Sequence, residues 1–434
     1  MWYNLSMNIY FSGIGGVGIG PLAEIAAGAG YDIFGSDTTA GLTIQMLKAR
    51  GVDMKIGPQT GDFLHKIYNT QGVDWFVYTS ALPEDHPELV LAKQLGIKTS
   101  KRDELLNKII EDKNLKLIAV AGTHGKTSTT GMFVWTLKQL GIPVSWSVGT
   151  TLTFGESGHF DNQSQLFIYE ADEFDRNFLH FSPFVSLITS LDYDHTDIYK
   201  TQKEYFEAFS DFAKQSDFLF SWQDQHSEIF TMLNNTAILS EIDTNLTLPG
   251  KHNKRNASLV IEALDYLHEI HNIDLGDDYY ERAINALNNF PGTDRRFEEI
   301  STGIFSDYGH HPAEIKATLQ MAKEIAIRDK YAGVALVYQP HQNVRQVEIQ
   351  DDYKPGIVSD ADKIIWLPTY LSREDPNLEI LTPKFLTRKI EQDKVEFAKM
   401  DTDLQQRISD LRAQNYLILA MNAGTLDGWL RNNF

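Results

Sequence analysis

The chain has 434 residues, 42% hydrophobic and 23% charged, enough ordinary globular sequence for about three domains of roughly 150 residues. A formal net charge of −20, from Asp+Glu 59 against Lys+Arg 39, excludes the basic face of a nucleic-acid binder, and the absence of Cys excludes disulfides, zinc–thiolate sites and a thiol nucleophile. The N-terminal sequence lacks the pattern of a secretory signal and no apolar run reaches about 18 residues, so a cytoplasmic protein with no membrane segment is expected.

Strands and helices alternate along the chain, which implies parallel sheets with crossover helices. A first strand is expected over Asn8–Ser12, followed by Gly13-Ile14-Gly15-Gly16-Val17-Gly18 and an apolar helix over 21–30. The next strand, 31–34, ends at Gly35-Ser36-Asp37, and further strands fall at 75–78 and near Ile97. The charged stretch 101–116 reads as a helix and then a linker. A second block opens with a strand over 117–121 and continues with strands at 166–169 and 185–190. The acidic segment 265–281 is expected to be helical and peripheral, with a boundary close to Phe297. A third block has strands at 304–307, 333–338, 363–367 and 416–421, and reads as a small Rossmann-like unit.

The sharpest local signal is Gly122-Thr123-His124-Gly125-Lys126-Thr127, where a strand feeds a glycine turn and then a helix. Glycines let successive N–H groups point at phosphate oxygens, Lys126 adds positive charge, and the Thr127 hydroxyl suits Mg²⁺. Val120 stands where the general phosphate-loop pattern has its first glycine. The bland alternative is a chance Gly-Lys-Thr turn. Downstream, Glu170-Ala171-Asp172-Glu173 and Asp192-Tyr193-Asp194-His195-Thr196-Asp197 each follow a strand, where ligands of open α/β sheets gather. A carboxylate there suits Mg²⁺, which takes one or two carboxylates beside phosphate oxygens and waters. His252, Asn253 and Asn256 precede an apolar helix and could equally be caps. His310 and His311 are adjacent, so their side chains diverge and a shared ion is discounted. Gly13, Gly15 and Gly18 suit a pyrophosphate above a helix N-terminus, and Asp37 lies near the ribose offset of a dinucleotide fold, so NAD stays open for this segment.

In their order along the chain, these segments, with Asp294-Arg295-Arg296-Phe297 and Asp307-Tyr308-Gly309-His310-His311-Pro312, resemble the Mur ligases. The resemblance implies an α/β, three-domain architecture: a Rossmann-like domain for a UDP substrate over 1–114, a central P-loop ATPase domain over 115–297, and a Rossmann-like domain for an amino acid over 298–434. It implies ATP-dependent amide synthesis, with Mg²⁺, between UDP-N-acetylmuramate and a small amino acid such as L-alanine, by a monomer or weak homodimer. By the same resemblance, Lys126, His195 and Arg296 are catalytic. Gly122, Thr123, His124, Gly125, Lys126 and Thr127 would hold the ATP phosphates, Asn253 and Asn256 the adenine, Arg296 a phosphate and Asp307 the ribose. Thr127, Glu170 and His195 would be metal ligands. Gly13, Gly15, Gly16 and Gly18, with Ser36 and Asp37, would hold the UDP substrate, and His341 and Arg345 the incoming amino acid. The sequence departs from the family pattern at Gln342, usually Arg, at Ile19-Gly20, and at Asn422-Ala423-Gly424. Rival readings are a nicotinamide-dependent oxidoreductase, opposed by the second phosphate loop, an inactive binding protein, opposed by intact Lys126, Glu170 and His195, and other amide ligases such as folylpolyglutamate synthase or a murein tripeptide ligase. Arg345 could instead serve only structure, paired with Asp351 or Asp352.

Overall fold

The computed structural model describes residues 7–79, 81–195, 198–230, 233–372, 374–375, 377–390 and 392–434. Thr196 and Asp197, part of the acidic run around His195, lie outside them.

Three sheets are built from the alternating pattern. The first holds β1 (Asn8–Ser12), β2 (Asp32–Asp37), β3 (Asp53–Ile56), β4 (Trp75–Tyr78) and β5 (Lys98–Ser100), all parallel, in the order β3-β2-β1-β4-β5. Its neighbours reverse at β1, which opens a crevice beyond the carboxyl end of that strand, where the first glycine loop lies. The second sheet holds β6 (Lys116–Ala121), β7 (Ser145–Ser147), β8 (Gly158–His159), β9 (Leu166–Glu170), β10 (Val185–Ile188), β11 (Phe218–Trp222) and β12 (Thr236–Leu239), in the order β12-β11-β10-β6-β9-β7-β8. Among the described residues, only the β7–β8 pair in it is antiparallel. The third holds β13 (Glu298–Ser301), β14 (Ile304–Asp307), β15 (Gly333–Gln339), β16 (Lys363–Trp366), β17 (Val395–Phe397) and β18 (Tyr416–Asn422), in the order β13-β14-β18-β15-β16-β17. Among the described residues, its one antiparallel pair is the β13–β14 hairpin at the edge.

Central strands are buried along their length, as parallel strands covered on both faces must be: every residue of β10 and β15 is buried. The described chain forms two compact units. One runs to Ile242 and includes Asn256–Phe290, and so holds the first two sheets; the other is Asp243–Arg255 with Pro291–Phe434. In the first unit one apolar core runs without a break from Ile9 and Trp75 through Leu117 and Phe167 to Phe209.

Segment 265–281 differs from expectation. The helix Lys251–Asp265 continues as a π-helical turn over Tyr266–Ile270 and stops, and a new helix starts at Tyr279. Asn272 and Gly276 take φ of 52° and 86°, which no continuous helix accepts. The segment is not merely peripheral either, since Leu267 and Leu275 are 0% and 2% exposed.

Candidate functional site

The phosphate-type loop connects β6 to the helix Lys126–Leu140. Gly122 has φ 135°, and a Cβ there would stand 2.4 Å from Thr189 Oγ1 and 2.7 Å from the Ser190 carbonyl oxygen. Only glycine allows that approach, and it brings the loop onto the segment after β10. The Thr123 amide donates to the Ser190 carbonyl at 3.0 Å, the His124 amide to Ser190 Oγ at 2.8 Å, and the Thr123 hydroxyl to the Asp192 carbonyl at 2.7 Å. Gly125, at φ 84°, sets the first turn of the helix, whose N-terminal amides and dipole favour an anion. Asn256 lies beside it, buried, with its amide 3.1 Å from where a Gly125 Cβ would stand.

Lys126 Nζ donates to both oxygens of Glu173, at 3.0 and 2.7 Å, and to the Gly122 carbonyl at 2.6 Å. Glu173 is sealed, at 0% exposure, and His195 Nε2 lies 3.4 Å from its Oε1. Burial alone would raise the Glu173 pKa, but Lys126 and His195 outweigh it and hold it below the usual carboxylate range. In turn the acids, Glu173 foremost, hold Lys126 above its ordinary value against burial. His195 is raised too, because the Glu173 hydrogen bond and the Asp194 charge overcome desolvation. The result is a charged Lys126–Glu173 pair, with Glu173 sealed, Lys126 on the first turn of the helix and His195 against the carboxylate. Glu173 was not singled out in the sequence, and its only signal was membership of the run Glu170-Ala171-Asp172-Glu173. Tyr199, whose hydroxyl donates to the Glu173 carbonyl at 2.6 Å, carried none.

A second carboxylate serves the neighbouring residue. The Thr127 hydroxyl donates to Glu170 Oε1 at 2.7 Å and the Gly149 amide to Oε2 at 2.7 Å. A hydroxyl and a carboxylate oxygen side by side are the hard donors Mg²⁺ takes beside phosphate oxygens and waters, so these residues fit that ion. Among the described residues no three His, Cys, Asp or Glu side chains are grouped as a metal ligand set. Thr127 and Glu170 stand side by side, and His195 lies against Glu173.

At the first glycine loop, Gly13 has φ 79°. The Gly13 and Ile14 amides donate to the Ser36 carbonyl, the Gly15 amide to Asp37 Oδ2 at 2.8 Å, and the Gly16 amide to the Gly13 carbonyl. Asp37 thus caps the loop itself. Ser36 is buried, its hydroxyl donating to Glu88 Oε2 at 2.7 Å, and Ser12 and Tyr10 bond the same carboxylate. A Cβ at Gly18 would stand 3.0 Å from Arg102 Nη1, which brings an unforeseen cation to the loop.

In the second unit, Asp307 accepts the Phe297 amide at 2.9 Å and the Gly309 amide at 2.7 Å, and burial raises its pKa against the Arg296 charge. The Arg296 guanidinium lies 5.2 Å from the Tyr308 ring centre. Asn253, on the other side of the unit boundary from Asn256, donates to the Pro249 carbonyl and to Met321 Sδ. Arg345 Nη1 meets His310 Nε2 at 2.5 Å, and His341 stacks on Tyr370 with ring centres 5.7 Å apart. Burial holds His310 down at about 4, so it is neutral and can accept from Arg345. The two histidine side chains diverge as expected, for His311 caps the helix Pro312–Arg328. Of the two acids considered as structural partners of Arg345, Asp351 is paired with Lys389 and Arg388, and Asp352 with Lys354.

The family model described as "Mur ligase family, catalytic domain" matches residues 8–114, and that described as "Mur ligase middle domain" matches 120–239. The chain is 32% identical over 415 residues to a protein of Christiangramia forsetii named UDP-N-acetylmuramate–L-alanine ligase, covering 88% of each. It is 31% identical over 412 residues to the protein of that name from Clostridium acetobutylicum, covering 86% of this chain and 85% of the relative. A solved structure of the UDP-N-acetylmuramate–alanine ligase from Thermotoga maritima superposes with a TM-score of 0.73 at 24% identity, covering 98% of both chains, and shares the fold.

Proposed function

The chain belongs to the Mur ligase family, and on that premise we propose that it joins L-alanine to the carboxylate of UDP-N-acetylmuramate, at the expense of ATP, in the synthesis of peptidoglycan precursors. The observation that carries the reading is Lys126, held charged by sealed Glu173 on the first turn of the helix at the glycine loop. A free carboxylate is a poor acyl donor. Its oxygen attacks the terminal phosphorus of ATP, ADP leaves, and the resulting acyl phosphate carries a good leaving group. The amine of alanine then attacks the carbonyl carbon, loses a proton and displaces phosphate. In this scheme Lys126 neutralises charge on the moving phosphoryl group, and the amide end of the helix that starts at Lys126 orients it. Mg²⁺ held by Thr127 and Glu170, and a second ion that His195 would help to hold, would add charge neutralisation at the phosphate oxygens.

We assign the three sheets separate tasks, with boundaries near 114 and 297: UDP substrate at the Gly13–Gly18 loop, nucleotide phosphates at the Gly122–Thr127 loop, and amino acid at His341 and Arg345. An α-carboxylate needs a fixed cation, and Arg345, oriented by neutral His310, supplies a planar one. No helix of the described residues is long and apolar enough to cross a membrane, and we place the enzyme in the cytoplasm as a monomer or weak homodimer. Phosphate release from ATP, measured with UDP-N-acetylmuramate and a panel of amino acids and peptides, tests the reading. Release dependent on L-alanine is expected. Release with a tripeptide alone would make the protein a recycling ligase, and none with any acceptor would overturn the assignment.

A further inference from the structure

In the first unit a cleft-like cavity of about 530 Å³ is lined by the helices Gly20–Gly28 and Leu42–Ala49 and by the chain between Lys138 and Asp161. None of the residues assigned above to substrate, nucleotide or metal lines it. Its walls include Glu24, Met46, Val144, Trp146, Glu156 and His159. Trp146 and His159 are stacked with ring centres 4.3 Å apart, and the Trp146 indole N–H donates to the Glu156 carbonyl at 2.9 Å, which fixes the aromatic wall.

Glu24 is 3% exposed, yet among the described residues no group donates a hydrogen bond to it. The nearby cations are engaged elsewhere. Arg50 pairs with Glu156 at 3.3 Å, and Lys138 Nζ donates to the Phe154 carbonyl at 3.1 Å while lying 5.2 Å from the Trp146 ring centre. The Glu24 side chain lines the cavity, and a carboxyl held so far from bulk water gains from a charged donor placed there. Burial pushes the Glu24 carboxyl up to about 7, against the charge of Arg50. Glu24 thus lacks a positive hydrogen-bond donor, and the cavity it lines already has apolar and aromatic walls.

We propose that this cavity is a second small-molecule site of the protein, for an organic cation whose ammonium group pairs with Glu24 and whose apolar body lies against Met46, Val144 and the Trp146–His159 stack. An ammonium brings both the missing charge and the missing donors, and aromatic faces attract cations. Acids outnumber bases on the wall, with Glu24, Glu156 and Asp161 against Lys138, which favours a cation over an anion.

Benzylamine is the probe, with benzyl alcohol as its uncharged counterpart. Calorimetric titration into the full-length protein should show one benzylamine site, with benzyl alcohol binding at least about tenfold more weakly, the worth of one charged hydrogen bond. Glu24→Gln should weaken benzylamine by a similar factor and leave benzyl alcohol unchanged. Met46→Trp, which fills the cavity and keeps the charge, should abolish binding of both, and it decides the matter should Glu24→Gln not fold. Absence of benzylamine binding to the wild type at about 10 mM, or equal affinity in either folded variant, would overturn the proposal. Phosphate release is read in parallel, so a failed ligase reading and a failed second site are told apart.

Discussion

Lys126 and Glu173 are the residues on which the nucleotide reading turns, and their coupling can be measured. Removing one partner of a buried pair leaves an uncompensated charge, at a cost of about 3–5 kcal/mol. Lys126→Met should therefore lose both phosphate release and stability, with the loss of stability on that order. Adding Glu173→Gln should restore much of the stability, because the stranded charge is gone, and none of the activity. Urea denaturation of the two single variants and the double variant gives the coupling energy. Strictly additive losses would show that the pair does not act as a unit. At this scale the sequence told half of the story. Lys126 and Thr127 were legible because strand, glycine turn and helix are adjacent in the chain. Glu173 was not, because its role depends on a contact across 47 residues that no local pattern announces. The resemblance implies Ser36 and Asp37 as substrate ligands, and the structure gives both side chains internal bonds, to Glu88 and to the Gly15 amide.

Among the elements, the loop between β6 and its helix depends on one close approach. Gly122→Ala would drive a methyl group into Thr189 and the Ser190 backbone at a φ that alanine resists. A loss of about 2–4 kcal/mol is expected, with nucleotide binding lost as well. Gly141, at φ 78° just beyond the other end of the same helix, meets nothing within 4 Å, so Gly141→Ala should cost only the backbone term of about 1 kcal/mol. Thermal unfolding and ATP calorimetry compare the two, and equal losses would refute the steric account. Elements were legible where periodicity or an apolar run is unambiguous: β1, β4 and β14 fall where the sequence places them. Segment 265–281 was misread because acids suggested a solvated helix, while Asn272 and Gly276 carry the turns that interrupt it.

For the whole molecule, acid acts in opposing ways. Protonating carboxylates relieves the repulsion of a chain at −20, while His310, held at about 4 against 6.5 when free, resists the proton. The unfolded chain takes that proton first, so His310 gives full stability above pH 6.5, which is lost as pH falls toward 4, at about 1.4 kcal/mol per pH unit. Between pH 6.5 and 5 the loss from this group should be about 2 kcal/mol. In His310→Gln the slope should be shallower by one proton's worth, read from amide exchange in β15 and β18. Parallel slopes in the two proteins would refute it.

Within the first unit, Gly158 of β8 lies flush on the helix Gly20–Gly28, and a Cβ there would stand 2.4 Å from the Pro21 carbonyl oxygen. Gly28 of the same helix meets Phe160 with as little room, a Cβ there standing 2.9 Å from Phe160 Cβ. Two such points at either end of one helix act like meshed teeth. Sliding or rolling β8 along the helix would force atoms through one another, so this seam is denied a hinge. On this side the cavity beside it has a fixed wall, which narrows by fit what it can take.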